Sequence, residues 1–166
     1  MPFHSRCKLS PYICSPFAIA DKDLHILTVE DNPDTQTLLR YMLKPHFALV
    51  FASQVDEALM EASKYTIGLF LLDINLGEQR TGIDLLELLR QRPGYEKTPA
   101  LALTAYAMPG DRERFLDAGF DGYISKPFTR RELLNAIEMA LEKKRPQAVG
   151  KKGVKSPAKK SSKQKA

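Results

Sequence analysis

Short apolar runs alternate with amphipathic segments through the middle of the chain. Each run has the length of a buried strand, and each segment between them carries apolar residues at helical spacing. This alternation predicts a doubly wound α/β fold of three layers, with a five-stranded parallel sheet between helices and right-handed crossovers. Strands are predicted at 24–29, 47–52, 67–73, 100–104 and 120–125, and helices at 33–44, 54–64, 82–92, 111–118 and 130–142.

Polar residues mark the starts of three predicted helices. Asn32 before Pro33 is a typical N-cap, since proline suits the first position of a helix. Ser53 is predicted to cap the second helix, and Thr129 with Glu132 has the spacing of a capping box before the last helix. The predicted helix starts therefore depend on cap chemistry as well as on hydrophobic spacing.

The net charge of +5 conceals two parts of opposite sign. Residues 143–166 hold ten lysines and arginines and no acid, which leaves 15 basic and 20 acidic residues before them, a net charge of −5. We therefore expect an acidic folded domain at 24–143 between a disordered leader at 1–23 and a disordered basic tail at 144–166.

The leader has some features of a secretory signal peptide. Two prolines interrupt its apolar part at 9–17, however, so a disordered leader or a start codon assigned too far upstream is the better interpretation. No apolar run reaches the roughly 18 residues of a membrane span. A cytoplasmic protein that makes no membrane contact is expected.

Polar side chains follow four of the predicted strands at the point where each strand ends. The carboxyl ends of parallel strands meet at one edge, where open α/β sheets bind their ligands. Two carboxylates about 5 Å apart repel each other by about 3 kcal/mol at an effective dielectric of about 20. Three acids therefore predict a cation, and a small set of oxygen ligands suits Mg²⁺ with room for a phosphate group. The polar residues at these four strand ends are, in order, Glu30 with Asp31, then Asp73, Thr104 and Lys126.

Asp73 is the candidate nucleophile of this site. The three histidines of the chain lie away from these strand ends, so a hydrolytic triad is not supported. A carboxylate can form an acyl phosphate, while Mg²⁺ and Lys126 neutralise charge and the Thr104 hydroxyl donates to a phosphoryl oxygen. Taken singly, Glu30 with Asp31 could be a solvated turn, Thr104 a hydroxyl bonded to backbone, and Lys126 a surface lysine. Their joint occurrence favours a site.

Four short segments give the chain a resemblance to a known family. In order and spacing they resemble the receiver domain of response regulators in two-component signalling, over about 120 residues from 24 to 143. The resemblance implies a flavodoxin-like sheet of order 2-1-3-4-5 and a cis peptide bond between Lys126 and Pro127. The segments are Val-Glu-Asp-Asn at 29–32, Leu-Leu-Asp at 71–73, Leu-Thr-Ala at 103–105 and Asp-Gly-Tyr-Ile-Ser-Lys-Pro-Phe at 121–128.

The resemblance also implies roles for single residues. Asp73 would accept a phosphoryl group from a histidine kinase or a phosphotransfer protein. Mg²⁺ would bind Asp31, Asp73 and the backbone carbonyl of Asn75, with Glu30 acting through water. The other implied roles are phosphate binding by Thr104, Ala105 and Lys126, and switching by Thr104 and Tyr123, where an edge-strand aromatic is the alternative for Tyr123. Tyr106, two residues after Thr104, is a candidate with Asn75 for control of water access, and an exposed loop tyrosine is the alternative.

The loop after Asp73 departs from the family pattern. Family members usually carry a Met-Pro pair here and reach the glycine before the next helix one residue sooner. This chain instead has Ile-Asn-Leu-Gly-Glu-Gln-Arg-Thr-Gly at 74–82. The longer polar loop leaves the acids in place, but the resemblance implies neither its rigidity nor its contacts with partners.

Three functions compete for this sequence. The first is a switch that is phosphorylated on Asp73, changes its docking surface for an unknown output protein, and catalyses only its own phosphorylation and dephosphorylation. The second is a Mg²⁺-dependent phosphatase with an aspartyl nucleophile, which needs an acid at the position of Asn75. The third is a nucleic-acid-binding protein that acts through the tail, where 155–160 is Lys-Ser-Pro-Ala-Lys-Lys. We predict the first, with DNA or another polyanion as a candidate partner of the tail.

Overall fold

Five parallel strands form one sheet within the residues that the computed structural model describes, which are 25–77, 80–105 and 110–144. The sheet order is β2-β1-β3-β4-β5, which confirms the predicted order. The strands are β1 (His25–Val29), β2 (Ala48–Ala52), β3 (Ile67–Asp73), β4 (Ala100–Thr104) and β5 (Gly122–Ser125). The helices are α1 (Pro33–Leu43), α2 (Val55–Lys64), α3 (Gly82–Arg90), α4 (Asp111–Asp117) and α5 (Arg130–Lys144).

The apolar strand β3 lies at the centre of the sheet. It pairs with β1 on one side and with β4 on the other. Four consecutive residues of β3, from Leu69 to Leu72, are fully buried. A continuous apolar run of this kind is what a parallel strand needs when helices cover both faces of its sheet.

Alternate residues of the strands face two hydrophobic cores, because successive side chains of a strand point to opposite faces. The core under α2, α3 and α4 includes Leu27, Val29, Phe70 and Leu72 from the strands. The core under α1 and α5 includes Ile26, Leu69, Leu71 and Leu103. Two helical layers therefore enclose the sheet, as the sequence predicts.

Two of the three predicted helix caps are confirmed. The side chain of Asn32 accepts hydrogen bonds from the backbone of Asp34 at 2.9 Å and of Thr35 at 3.1 Å. The backbone N–H of Thr129 donates to the Glu132 carboxylate at 2.7 Å, and the Glu132 N–H donates back to the threonine hydroxyl at 3.3 Å. Local sequence is sufficient here because each cap is made within four residues.

The prediction that Ser53 caps α2 is wrong. Gln54 is the N-cap residue, and its side chain makes no capping hydrogen bond. The Ser53 hydroxyl instead accepts a hydrogen bond at 3.0 Å from the side-chain amide of Gln36, which lies on α1. The backbone N–H of Ser53 donates to Glu57 at 2.7 Å. A tertiary contact with another helix therefore decides what this serine does.

Strands β2 and β5 begin one and two residues later than predicted. Phe47 donates its backbone N–H to the carbonyl of Leu43 at 3.0 Å, so it belongs to the turn that follows α1. Before β5, the Asp121 N–H donates to the Ala100 carbonyl at 2.8 Å, but the Asp121 carboxylate accepts the Ala100 N–H at 3.0 Å. The Asp121 side chain thus takes the place of a backbone carbonyl as the hydrogen-bond acceptor, and regular pairing of β5 with β4 starts only at Gly122.

The predicted leader at 1–23 and most of the predicted tail lie outside the described residues. Helix α5 continues to Lys144, so it includes the first residue of the predicted tail. None of the helices in the described segments is both long enough and apolar enough to span a membrane.

Thr28 is a polar exception in the core. It lies on β1 and is fully buried, and its hydroxyl has no hydrogen-bond partner among the residues that the structure describes. A buried hydroxyl without a partner costs about 1–3 kcal/mol, whereas valine has nearly the same shape without that cost. We expect Thr28→Val to raise the free energy of unfolding by about 1 kcal/mol. Urea denaturation followed by circular dichroism measures this, and a less stable variant would contradict the assignment.

Candidate functional site

Three carboxylates meet at the carboxyl edge of the sheet. Glu30 and Asp31 follow β1, and Asp73 ends the neighbouring strand β3. One oxygen from each acid lies within 4.8 Å of the others. Glu30 and Asp73 are buried, whereas Asp31 is exposed. The cluster therefore presents Asp31 to solvent and keeps the other two acids inside.

Lys126 joins two of these acids. Its Nζ donates to Oε2 of Glu30 at 2.6 Å and to Oδ2 of Asp73 at 2.7 Å. Its backbone N–H donates to the carbonyl of Thr104 at 2.7 Å, which attaches the lysine to the end of β4. The peptide bond between Lys126 and Pro127 is cis, as the resemblance implied.

Burial and charge oppose each other in this cluster. The pKa of Glu30 lies above its usual value mainly because the carboxyl group is buried, and repulsion from Asp73 raises it further. The hydrogen bond from Lys126 lowers this pKa, but by less. Burial by itself would lower the pKa of Lys126, but its hydrogen bonds and its attraction to Asp73 and Glu30 outweigh burial and raise that pKa. Lys126 therefore stays charged at neutral pH.

Gln36 supports the turn that carries the two adjacent acids. Its side-chain amide donates to the backbone carbonyl of Glu30 at 2.6 Å and to the Ser53 hydroxyl at 3.0 Å. It thereby links the end of β1 to the end of β2. Sequence reasoning missed this residue, because a glutamine on an amphipathic helix carries no local signal for such a contact.

The loop after β3 lies against the acids. The N–H of Asn75 donates to Oδ1 of Asp73 at 3.1 Å, and the N–H of Gly77 donates to Oδ1 of Asn75 at 3.4 Å. Leu76, between them, is buried in the core under α2 and α3. Asn75 therefore lies beside Asp73, and a buried leucine anchors its loop.

The other predicted site residues occupy the neighbouring strands. Thr104 is buried at the end of β4, and Ala105 follows it on the surface. Tyr123 lies further back on β5, half-buried, with its ring 6.0 Å from that of Phe115 on α4. Tyr106 lies outside the described residues. The structure thus brings four charged residues together and places the two switch candidates on adjacent strands.

The oxygen atoms of the cluster suit a small hard cation. All three side-chain ligands in it are carboxylates, which Mg²⁺ prefers, and the cluster offers few enough of them to leave room for water and phosphate. Lys126 supplies one positive charge against three acids. The remaining negative charge is what a divalent cation would neutralise, so the residues present fit Mg²⁺.

A comparison with protein families agrees with this geometry. Residues 26–138 match the model of the response regulator receiver domain, a span that includes all three acids and Lys126. The chain belongs to this family. The receiver domain is a phosphorylation-dependent signalling switch, and receiver domains act with histidine kinases or phosphotransfer proteins. Its fold is consistent with a switch rather than with a classical enzyme.

Relatives of this receiver domain occur alone and within longer proteins. An uncharacterized 14.6 kDa protein of Leptolyngbya boryana is 38% identical over 116 residues, which are 69% of this chain and 88% of that protein. The signal transduction histidine-protein kinase BarA of Escherichia coli strain K12 is 32% identical over 113 residues, which are 68% of this chain. The chain spans only 12% of the length of BarA, so the comparison concerns one part of that kinase.

A solved structure resembles the receiver domain over most of its length. It is the receiver domain of the sensor histidine kinase PA1611 from Pseudomonas aeruginosa, with a magnesium ion coordinated in its active site cleft. The TM-score is 0.65 and the identity is 32%, over 72% of this chain and 98% of that one. The likeness to this receiver domain is therefore one of sequence as well as of fold.

Proposed function

We propose that Asp73 of this receiver domain accepts a phosphoryl group from the phosphohistidine of a histidine kinase or phosphotransfer protein. The observation that supports this is the Lys126 ammonium, which lies 2.7 Å from Oδ2 of Asp73 at the carboxyl edge of the sheet. In the transfer, an Asp73 oxygen attacks phosphorus, the P–N bond breaks, and the imidazole leaves with the electron pair of that bond. The product is an acyl phosphate.

Asp73 suits the acceptor role better than the other two acids. Its oxygens are oriented by two donors, Oδ1 by the N–H of Asn75 at 3.1 Å and Oδ2 by Lys126. Glu30 is fully buried, so an incoming phosphoryl group has no path to it. Asp31 is exposed at the adjacent strand end, which suits a metal ligand that shares its ion with water.

Asp31, Asp73 and the backbone carbonyl of Asn75 would hold Mg²⁺, with Glu30 acting through water. When bound, the ion neutralises charge on the phosphoryl group during transfer. Before transfer, the positive charge of Lys126 balances the negative charges of Glu30 and Asp73. We propose that Lys126 donates a hydrogen bond to the phosphoryl group after transfer. The Thr104 hydroxyl and the Ala105 N–H would supply the further hydrogen bonds.

Thr104 and Tyr123 would convert phosphorylation into a change of the docking surface. Thr104 lies next to the acids and would bond to the new phosphoryl oxygens, while Tyr123 packs against Phe115 of α4. A shift of the tyrosine would therefore alter the surface that α4 and β5 present to an output protein. Asn75 and Tyr106 would control the access of water to the acyl phosphate.

The phosphatase alternative is not favoured by this geometry. An enzyme of that kind needs a proton-exchanging acid two residues after its nucleophile. Asn75 occupies that position, and its side-chain oxygen accepts the N–H of Gly77 at 3.4 Å. An amide in this role does not exchange a proton with substrate.

We propose that the receiver domain occupies residues 24–143 and acts in the cytoplasm, where phosphohistidine donors are made.

Phosphorylation by acetyl phosphate tests the proposal. We expect one added phosphoryl group per chain in intact-mass spectrometry when Mg²⁺ is present, and none in excess chelator. Asp31→Ala should slow the addition by at least about tenfold, because it removes a metal ligand. Asp34→Ala is the matched control, since Asp34 is an exposed acid in the first turn of α1 outside the cluster. Addition at the normal rate in chelator would contradict the metal role.

A second candidate activity rests on the charge of the tail. Residues 145–166 carry eight lysines and arginines and no acid. We propose that this segment binds polyanions, with DNA as the leading candidate and with little sequence preference, because lysines contact phosphates rather than base edges. Release of counterions from about six phosphates would give a slope near roughly −5 in a plot of log affinity against log salt.

Truncation after Lys144 tests the tail while leaving α5 intact. We expect the shortened chain to lose most of its affinity for DNA and most of the dependence of that affinity on salt. Fluorescence anisotropy of labelled DNA at several salt concentrations measures both. Equal affinity with and without the tail would contradict DNA binding by this segment. If the isolated tail binds strongly and the full chain weakly, the tail instead contacts the acidic receiver domain, and phosphorylation of Asp73 should strengthen that contact.

A further inference from the structure

Gly77 lies in direct contact with one acid of the site. Its φ angle is +67°, and a Cβ atom at this position would lie 2.8 Å from Oδ2 of Asp31. Carbon and oxygen atoms in close contact lie about 3.3–3.6 Å apart. A side chain at position 77 would therefore overlap the Asp31 carboxylate in its present position, whereas glycine leaves that space open.

The loop cannot easily move away, because it is fixed on both sides of Gly77. On one side, Leu76 is 2% exposed and packs in the core under α2 and α3. On the other side, the N–H of Gly82 donates to the carbonyl of Ile74 at 3.1 Å, and a Cβ at Gly82 would lie only 2.2 Å from the carbonyl oxygen of Asp73. These contacts hold both ends of the loop against β3.

The Asp31 carboxylate can yield where the loop cannot. Asp31 is exposed, and its short side chain rotates without disturbing the core. A methyl group at position 77 would therefore displace the Asp31 carboxylate from its present position near Glu30 and Asp73 while the backbone stayed in place. The close approach of Gly77 therefore restricts the directions in which Asp31 can point.

We propose that Gly77 is a positioning residue for the metal site, because the missing side chain at this position leaves room for the Asp31 carboxylate near Glu30 and Asp73. This inference rests on the proposed role of Asp31 in binding Mg²⁺. It assigns a function to the position where the loop departs from the usual Met-Pro pair. The loop thus contributes to the geometry of the ligands as well as to the connection between β3 and α3.

Gly94 provides a matched control for Gly77. Its φ angle is +92°, so alanine at this position meets backbone strain of the same kind. Apart from its chain neighbours, no atom in the described part of the chain would lie within 4 Å of a Cβ at Gly94, and the residue lies after α3, outside the acid cluster. Any difference between Gly77→Ala and Gly94→Ala therefore reports the contact with Asp31 rather than the strain.

A titration of both full-length variants and the parent protein with MgCl₂, followed by amide chemical shifts in NMR, tests the proposal without phosphorylation. We expect Gly77→Ala to bind Mg²⁺ about tenfold more weakly than the parent, as is common when a group that orients a metal ligand is changed. Gly94→Ala should bind like the parent. The amide shifts of Glu30 and Asp31 without metal should change only in Gly77→Ala.

Several results would overturn the inference. If Gly77→Ala and Gly94→Ala bind Mg²⁺ equally, the Gly77 assignment fails while the metal site stands. If the parent protein shows no shifts at Glu30, Asp31 and Asp73, the metal role itself fails and the inference with it. If Gly77→Ala loses its folded spectrum while Gly94→Ala keeps it, the contact serves folding rather than positioning, which also contradicts the proposal.

Discussion

Asp73→Asn should leave the receiver domain folded and remove its phosphorylation by acetyl phosphate completely. Asparagine has nearly the same shape as aspartate, so its oxygen can still accept the hydrogen bond that the Asn75 N–H makes to Asp73 at 3.1 Å. An amide oxygen, however, is a far weaker nucleophile than a carboxylate and forms no acyl phosphate. Intact-mass spectrometry should therefore show no added phosphoryl group.

Asp34→Asn is the control for this experiment. Asp34 lies in the first turn of α1, where its exposed carboxylate takes no part in the cluster, and the change to asparagine is chemically the same. This variant should be phosphorylated like the parent protein. If Asp73→Asn still gains the phosphoryl mass at an undiminished rate, another residue is the acceptor and the assignment to Asp73 fails.

Lys126→Met should cause the largest loss of stability among changes at the site. The side chain of Lys126 is 21% exposed, and the two carboxylates that it bonds are 1% and 7% exposed. Removing one partner of a buried ion pair costs about 3–5 kcal/mol, and we expect about 3 because Lys126 keeps some contact with water. Urea denaturation at neutral pH, followed by circular dichroism, measures this loss.

The loss in Lys126→Met should shrink as the solution becomes acidic. Burial raises the pKa of Glu30, and without the opposing hydrogen bond from Lys126 this pKa should rise further. A carboxyl group whose folded-state pKa is raised contributes stability that is fully present below its unfolded pKa and is lost as pH rises through the folded value. The free energy of unfolding of the variant should therefore approach that of the parent protein toward about pH 4 and lie below it at neutral pH.

Lys64→Met separates this effect from a general loss of charge. Lys64 lies on α2 and forms an exposed ion pair with Glu61 at 2.8 Å. Exposed pairs of this kind contribute little to stability, so the variant should unfold like the parent protein at each pH. A loss in Lys126→Met that is as small as in Lys64→Met, or that is independent of pH, would contradict the electrostatic account of the cluster.

The fold was predictable from the sequence because its strongest signals are local. The apolar run of β3 is long and unbroken, since that strand is buried on both faces of the sheet. Asn32 and Thr129 make their capping bonds within a few residues, so cap chemistry located the helix starts. The order of the strands came from the family resemblance, because hydrophobic spacing does not determine which strands are neighbours.

The main part of the site was predictable for a topological reason. In a parallel sheet, residues far apart in the chain meet if each one ends a strand. This rule brought Glu30 and Asp31 together with Asp73 before any coordinates were available. Lys126 follows from the same rule, and its Nζ lies 2.6 Å and 2.7 Å from two of the acids, while its predicted role of neutralising charge on the phosphoryl group stays a prediction.

The contacts that sequence reasoning missed all depend on how elements pack. Gln36 reaches the Glu30 carbonyl only because of the way α1 lies on the sheet. Ser53 does not cap α2 as predicted, and its hydroxyl instead accepts a hydrogen bond from the same glutamine. Asp121 replaces a backbone carbonyl in pairing with Ala100, which shortens β5. None of these contacts has a pattern in the local sequence. The Gln36 contact with Glu30 joins residues six positions apart on two different elements, and the other two contacts join residues 17 and 21 positions apart.

The position of the phosphoryl group is the most direct test of the central claim. Borohydride reduces an aspartyl phosphate to homoserine, which tandem mass spectrometry locates within a peptide. After incubation with acetyl phosphate and Mg²⁺, we expect homoserine at position 73 in the peptide that carries the end of β3. Homoserine at position 31, the one-carbon-longer alcohol hydroxynorvaline at position 30 (where the residue is glutamate), or a stable phosphoryl group on any other residue with none at position 73, would contradict the account.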